Sequence, residues 1–210
     1  MFRRGQRHGG FLELRDPHLA DPVYIGWVLK KGESMRRVLF AIMLLATGWS
    51  APLMAAPTGF WATLAQARWV QEGRQGPLIY VFTDPNCPYC HVLYKRLQPF
   101  IRKGQVVVRF IPVGMLTPSS AGKAAAILES PDPQKALAKN EKGFHDDRGA
   151  IAPVTPTPAT EKMLRHNLYY FSVTDATGVP AIMYKKHGGQ VGVITGAPSP
   201  GNLAKILQRL

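Results

Sequence analysis

Five consecutive strand-forming residues, Leu78-Ile79-Tyr80-Val81-Phe82, run into Thr83-Asp84-Pro85-Asn86 and then Cys87-Pro88-Tyr89-Cys90. A continuous apolar run of this length marks a strand buried on both faces, as in a sheet sandwiched between helices. Asp, Pro and Asn are turn residues. Pro88 suits the first position of a helix. The predicted unit is therefore strand, tight turn and helix, with Cys87 at the mouth of the helix. The buried stripe of that helix would be Leu93, Leu97, Phe100 and Ile101. Pro99 should kink or shorten it, and Gly104 should end it. Val106 to Ile111 predicts a second strand, and the βαβ order makes the pair parallel.

Other segments surround this unit. Phe60 to Glu72 has the apolar spacing of an amphipathic helix ended by Gly73. Ser119 to Leu128 and Pro133 to Lys142 read as helices, and residues 143–159 as a surface loop. Glu161 to Ala176 reads as a further helix. Ala181 to Tyr184 and Val191 to Ile194 flank His187-Gly188-Gly189, a hairpin pattern. Ser199-Pro200 opens a last helix with Leu203, Ile206, Leu207 and Leu210 on one face. The order is βαβ, a helical insertion, then αββα.

The start of the chain reads differently. Arg36 and Arg37 precede the apolar run Val38 to Ala46, and Thr47, Gly48, Ser50 and Pro52 break it before Ala55 and Ala56. That order is the pattern of a secretory signal peptide over residues 35–55, cleaved after Ala55. The apolar run falls short of the roughly 20 residues that span a bilayer. Residues 1–34 then lie upstream of a segment that normally begins a protein, and the expectation is a non-native extension with translation starting at Met35. The chain carries a formal net charge of +13 and stays basic without residues 1–55. Its cations are scattered singly or in pairs, so a solvated basic surface is expected and no nucleic-acid partner.

Cys87 and Cys90 are the only cysteines, which excludes a disulfide scaffold and a four-cysteine zinc site. Residues three apart on a helix hold their Cβ atoms about 5–6 Å apart. A disulfide needs about 3.5–4.5 Å. A slightly tightened first turn therefore opens and closes the pair with little motion. Free N–H groups and the positive end of the helix dipole favour a thiolate at Cys87. Cys87 is then the attacking sulfur and Cys90, one turn deeper, the resolving one. Pro88 and Tyr89 between them would tune the potential.

Two other readings stand beside this. A structural staple across so short a ring would stabilise by only about 2 kcal/mol. A metal site would have to join Cys87, Cys90 and His91 to His145, His166 or His187, none of which has paired ligand spacing. The lone histidines are expected at the surface, and no metal is expected. Gly178-Val179-Pro180 enters a strand, and a cis Pro180 would turn the Val179 backbone outward toward an extended substrate beside Cys87.

The stretch Tyr80 to His91 resembles the active-site segment of the DsbC/DsbG thiol:disulfide interchange proteins of the bacterial periplasm. Ala124-Ala125-Ala126-Ile127-Leu128 with Asp132-Pro133 looks like their helical insertion, and Gly178 to Ile182 like their cis-proline loop. Cys-Pro-Tyr-Cys points to the DsbG branch. The resemblance implies an α/β thioredoxin-like fold over residues 56–210, with a helical insertion at about 117–160 between its βαβ and ββα halves. It implies Cys87 and Cys90 as catalytic thiols, Val179-Pro180 as the substrate loop, and no bound cofactor. It also implies cysteine-containing periplasmic or secreted proteins as substrates and a membrane reductase of the DsbD type as electron donor.

Two departures qualify this expectation. The N-terminal dimerisation domain of those proteins has no counterpart between Ala56 and Phe60, so a monomer is expected and reduction or oxidation gains weight over isomerisation. Val179 stands where they usually have Thr. The competing expectations are a redox-inert thioredoxin-like module of a cell-envelope assembly and a metal-binding chaperone.

Overall fold

In the computed structural model, residues 59–186 and 188–210 are described. The upstream extension, the signal segment and His187 lie outside these. A sheet of five strands runs in the order β1-β3-β2-β4-β5: β1 Val70–Glu72, β2 Leu78–Thr83, β3 Val107–Pro112, β4 Ala181–Lys185 and β5 Val191–Thr195. Among the described residues six helices accompany it: α1 Phe60–Ala65, α2 Pro88–Arg102, α3 Ser120–Leu128, α4 Pro133–Lys142, α5 Pro158–Ser172 and α6 Pro200–Leu207. β2 and β3 are parallel, with Val81 opposite Phe110. β4 and β5 are an antiparallel hairpin whose β4 pairs antiparallel to β2.

The apolar run becomes the central strand because its residues alternate between two cores. Ile79 and Val81 face α2 and α6, packing with Leu93, Leu97, Leu203 and Leu207. Tyr80 and Phe82 face the other side, with Leu64, Ile111 and Met183. All four β2 residues named here are at most 1% exposed. This double burial fixes the register, since a one-residue slip would swap both faces.

Four helices share one starting device: a capping residue followed by Pro at the first helical position. The pairs are Cys87-Pro88, Asp132-Pro133, Thr157-Pro158 and Ser199-Pro200. In each the first side chain accepts a backbone N–H from three residues on. At α2 a sulfur does what an oxygen does elsewhere.

Several expectations need correction. Phe60 to Glu72 is not one helix. α1 ends at Ala65, and Val70–Glu72 is an edge strand antiparallel to β3. An open sheet edge supplies backbone partners that a helix end does not, and Asn167 anchors the connection by accepting from Arg68 N at 2.9 Å. α2 is not shortened at Pro99; it continues to Arg102. Burial of Leu93 and Leu97 with Phe100 and Ile101 packed alongside outweighs the cost of about 3 kcal/mol for an interior proline. α5 begins at Pro158 and ends at Ser172, so it is shifted toward the N-terminus relative to Glu161–Ala176. The loop between α4 and α5 is not wholly on the surface. Gly149 is buried, and its N–H donates to Asn86 Oδ1 at 3.3 Å.

Candidate active site

β2 delivers the turn Asp84-Pro85-Asn86 to the mouth of α2, and hydrogen bonds hold it there. Cys87 N donates to Asp84 O at 3.0 Å, and Asn86 N donates to the Asp84 carboxylate at 2.9 Å. Cys87 is the N-cap of α2. Its Sγ accepts from Cys90 N at 3.1 Å and lies 3.6 Å from Val179 O. Val179-Pro180 is a cis peptide at the entry to β4. Both cysteines are reduced. The turn and the Val179-Pro180 corner, 92 residues apart in sequence, thus meet at one sulfur.

The two thiols are pushed in opposite directions. Cys87 is held below the usual thiol range. The strongest cause is the hydrogen bond from the Cys90 thiol, helped by the N–H groups of Cys90 and Tyr89; burial and the Asp84 charge oppose it. Cys90 is pushed far above that range, first by burial and then by the neighbouring Cys87 sulfur. Cys87 is therefore the more acidic thiol of the pair, and Cys90 the one that holds its proton.

Linkage gives a testable sign. With Cys87 shifted down, the folded reduced chain has released a proton that the unfolded chain keeps until about pH 8.5. The stability of the reduced form relative to the oxidised form should therefore rise with pH up to about 8.5, by at most ~1.4 kcal/mol per unit. Above that the unfolded chain also releases the Cys90 proton, which the folded chain retains, and the difference should turn downward. Denaturant melts of both redox forms across this range check it. A flat difference would contradict it.

Neither cysteine is open to solvent. Cys87 is 2% exposed and Cys90 4%. Tyr89 is the exposed member of the motif at 68%. Met115 and Leu116 are also exposed, and both their N–H groups donate to Asp84 Oδ2.

Behind the turn lies a buried polar network that sequence reasoning missed. Asp84 Oδ1 also accepts from Ser120 Oγ at 2.7 Å. Asn86 Nδ2 donates to Thr117, Ser119 and Ser120, while its Oδ1 accepts from Lys123 Nζ at 2.8 Å. Asn140 Nδ2 donates to Pro85 O at 3.1 Å. None of the buried side-chain polar atoms lacks a partner among the described residues. Gly149 sits so close that a Cβ there would overlap the Asn140 amide and Pro85 O. Gly149→Ala is expected to cost about 1–3 kcal/mol by overpacking, measured as a lower denaturation midpoint. A neutral result would show that this loop is free to move.

His91 is not a surface histidine. It pairs with the buried Glu141 at 2.9 Å and stacks on Phe144 at 4.6 Å between centroids. Burial pushes the Glu141 carboxyl up, against the pull of His91 and Asn140. Among the described residues no cluster of three or more His, Cys, Asp or Glu could hold a metal. No helix among them is long and apolar enough to cross a membrane.

A five-stranded mixed sheet with a CxxC capping the helix after its central strand defines a thioredoxin-like protein. The thioredoxin-like domain family matches residues 64–210, and the chain belongs to it. It is 36% identical to the thiol:disulfide interchange protein DsbG of Pseudomonas aeruginosa over 150 residues, covering 70% of this chain and 58% of that protein. It is 30% identical to DsbG of Escherichia coli over 159 residues, covering 72% and 62% respectively. The chain thus spans less than two thirds of either relative. A periplasmic thioredoxin-like protein from Salmonella enterica serovar Typhimurium superposes with a TM-score of 0.58 at 26% identity, over 71% of this chain and 94% of that one. The catalytic domain of Proteus mirabilis ScsC shares the fold, with a TM-score of 0.55 at 22% identity over 71% and 97%.

Proposed function

We propose that the protein is a periplasmic thiol:disulfide oxidoreductase that reduces, isomerises or forms disulfides in cysteine-containing secreted proteins. The observation that carries this reading is the Cys87 sulfur at the N-cap of α2, accepting from Cys90 N. The similarity to two DsbG proteins supports the activity class. The similarity to a periplasmic thioredoxin-like protein supports the compartment.

In the reducing direction the Cys87 thiolate attacks one sulfur of a substrate disulfide. That bond breaks, the other substrate sulfur leaves and takes a proton, and a mixed disulfide remains. Cys90 then gives up its proton and attacks the Cys87 sulfur. The substrate departs reduced, and Cys87–Cys90 is left as a disulfide carrying the two-electron deficit. Oxidation is the same sequence reversed. Pro88 and Tyr89 shape the helix mouth, and Val179-Pro180 offers backbone to an extended substrate. A membrane reductase of the DsbD type would return the electrons, and the protein acts as a monomer in this reading.

One observation favours a second reading, a redox-inert binding module: the near-complete burial of Cys87. Reduction of insulin by the dithiol separates the two. The enzyme reading predicts turnover well above a free thiol at equal concentration. Turnover no faster than that thiol would favour the module.

A further inference from the structure

Two buried charges lie beneath the turn that presents Cys87, and thiol exchange as described uses neither. Asp84 is 1% exposed and Lys123 7%. Among the described residues they form no direct ion pair. They meet instead through Asn86, whose N–H donates to Asp84 Oδ1 and whose Oδ1 accepts from Lys123 Nζ. The ammonium group also donates to Gly149 O at 2.5 Å. Ser120, one turn before Lys123 on α3, binds the same Asp84 oxygen.

Burying an ammonium group costs several kcal/mol, and such a group persists only where its partners recover that cost. We propose that Lys123 is a positioning residue for the exchange: it locks the Asp84-Pro85-Asn86 turn through Asn86 and offsets the Asp84 charge behind the attacking sulfur. The inference rests on the reading of Cys87 as the attacking thiol. The Asp84 carboxylate disfavours a Cys87 thiolate. The same carboxylate favours the charged form of Lys123, against burial and the Arg148 charge. The two buried charges therefore see each other. The groups facing Cys87 are Asp84 and the Cys90 thiol; those facing Lys123 are Asp84 and Arg148. The His91–Glu141 pair reaches this network through Asn140.

The test is a titration of the Cys87 thiolate by its ultraviolet absorbance in wild type, Lys123→Met and Lys123→Gln. Glutamine keeps donors for Asn86 and Gly149 but carries no charge, and it serves if the methionine variant does not fold. Without the ammonium, the Asp84 charge acts unopposed and the Cys87 midpoint should rise by about one unit. Below that midpoint the thiolate fraction falls about tenfold, while greater basicity recovers part of the nucleophilicity. Attack on a small-molecule disulfide should then slow about threefold. A purely structural lysine would lower stability in both redox forms equally and leave the midpoint unmoved. That result would overturn the inference while leaving the proposed function intact. A wild-type Cys87 that titrates as an ordinary thiol would instead overturn the function itself.

Discussion

Exchanging Cys87 for serine is expected to reduce disulfide turnover by at least ~10³-fold, to the background of uncatalysed exchange. Loss of a nucleophile costs that much or more where one has been removed from an enzyme. A serine hydroxyl can still cap α2, because Ser is a good N-cap. The variant should therefore fold, and the loss belongs to chemistry. Cys90→Ser is expected to behave differently. Its Cys87 exchanges the thiol hydrogen bond that does most to hold its pKa down for one from a hydroxyl, and keeps the backbone N–H of residue 90. It should still attack, yet it cannot release what it captures, so covalent adducts accumulate and turnover stops. Insulin-reduction kinetics with intact-mass measurement distinguish the two. Equal loss without adducts in both variants would argue that the thiols act only as a structural pair.

The second large effect lies in the turn. Asp84→Ala is expected to destabilise the domain by about 3–5 kcal/mol. The Asp84 carboxylate accepts from Asn86 N, Ser120 Oγ, Met115 N and Leu116 N. Each buried donor left unpaired costs about 1–3 kcal/mol, and relaxation of the exposed Met115–Leu116 segment recovers part of the sum. The loss also strands the Lys123 ammonium. For a domain of this size, the melting temperature should fall by on the order of 10 °C. Thermal denaturation checks this, with Asp84→Asn as the control that keeps the shape. A drop of only a degree or two would mean that the network does not bear on folding.

Much of the fold was legible because its signals are local. The run Leu78–Phe82 states its own burial, and Asp132-Pro133 and Ser199-Pro200 state where helices start. Thr157-Pro158 carries the same signal, and it starts α5 three residues ahead of Glu161. Val70–Glu72 was unreadable as a strand for another reason. Its apolar spacing suits a helix, and only the open edge of β3, almost 40 residues on, makes it extended.

The site divides in the same way. Cys87, Pro88 and Cys90 are contiguous, and their placement on a strand-to-helix turn follows from short-range chemistry. Lys123, Asn140 and Gly149 reach the turn from the insertion, across 37 to 63 residues of chain. Their types, scattered among other polar residues, give no spacing pattern. His91 was misjudged because stacking on Phe144 and pairing with Glu141 are properties of folded neighbours.

The account depends on unequal sulfurs, one acidic and the other locked in its proton. Alkylation of the reduced wild-type protein as a function of pH, with the modified peptide identified by mass spectrometry, tests that most directly. The predicted result is modification at Cys87 alone, with a midpoint clearly below that of a free thiol near ~8.5, while Cys90 stays unmodified until the fold opens. Equal labelling of both cysteines with an ordinary midpoint, or Cys90 reacting first, would contradict it.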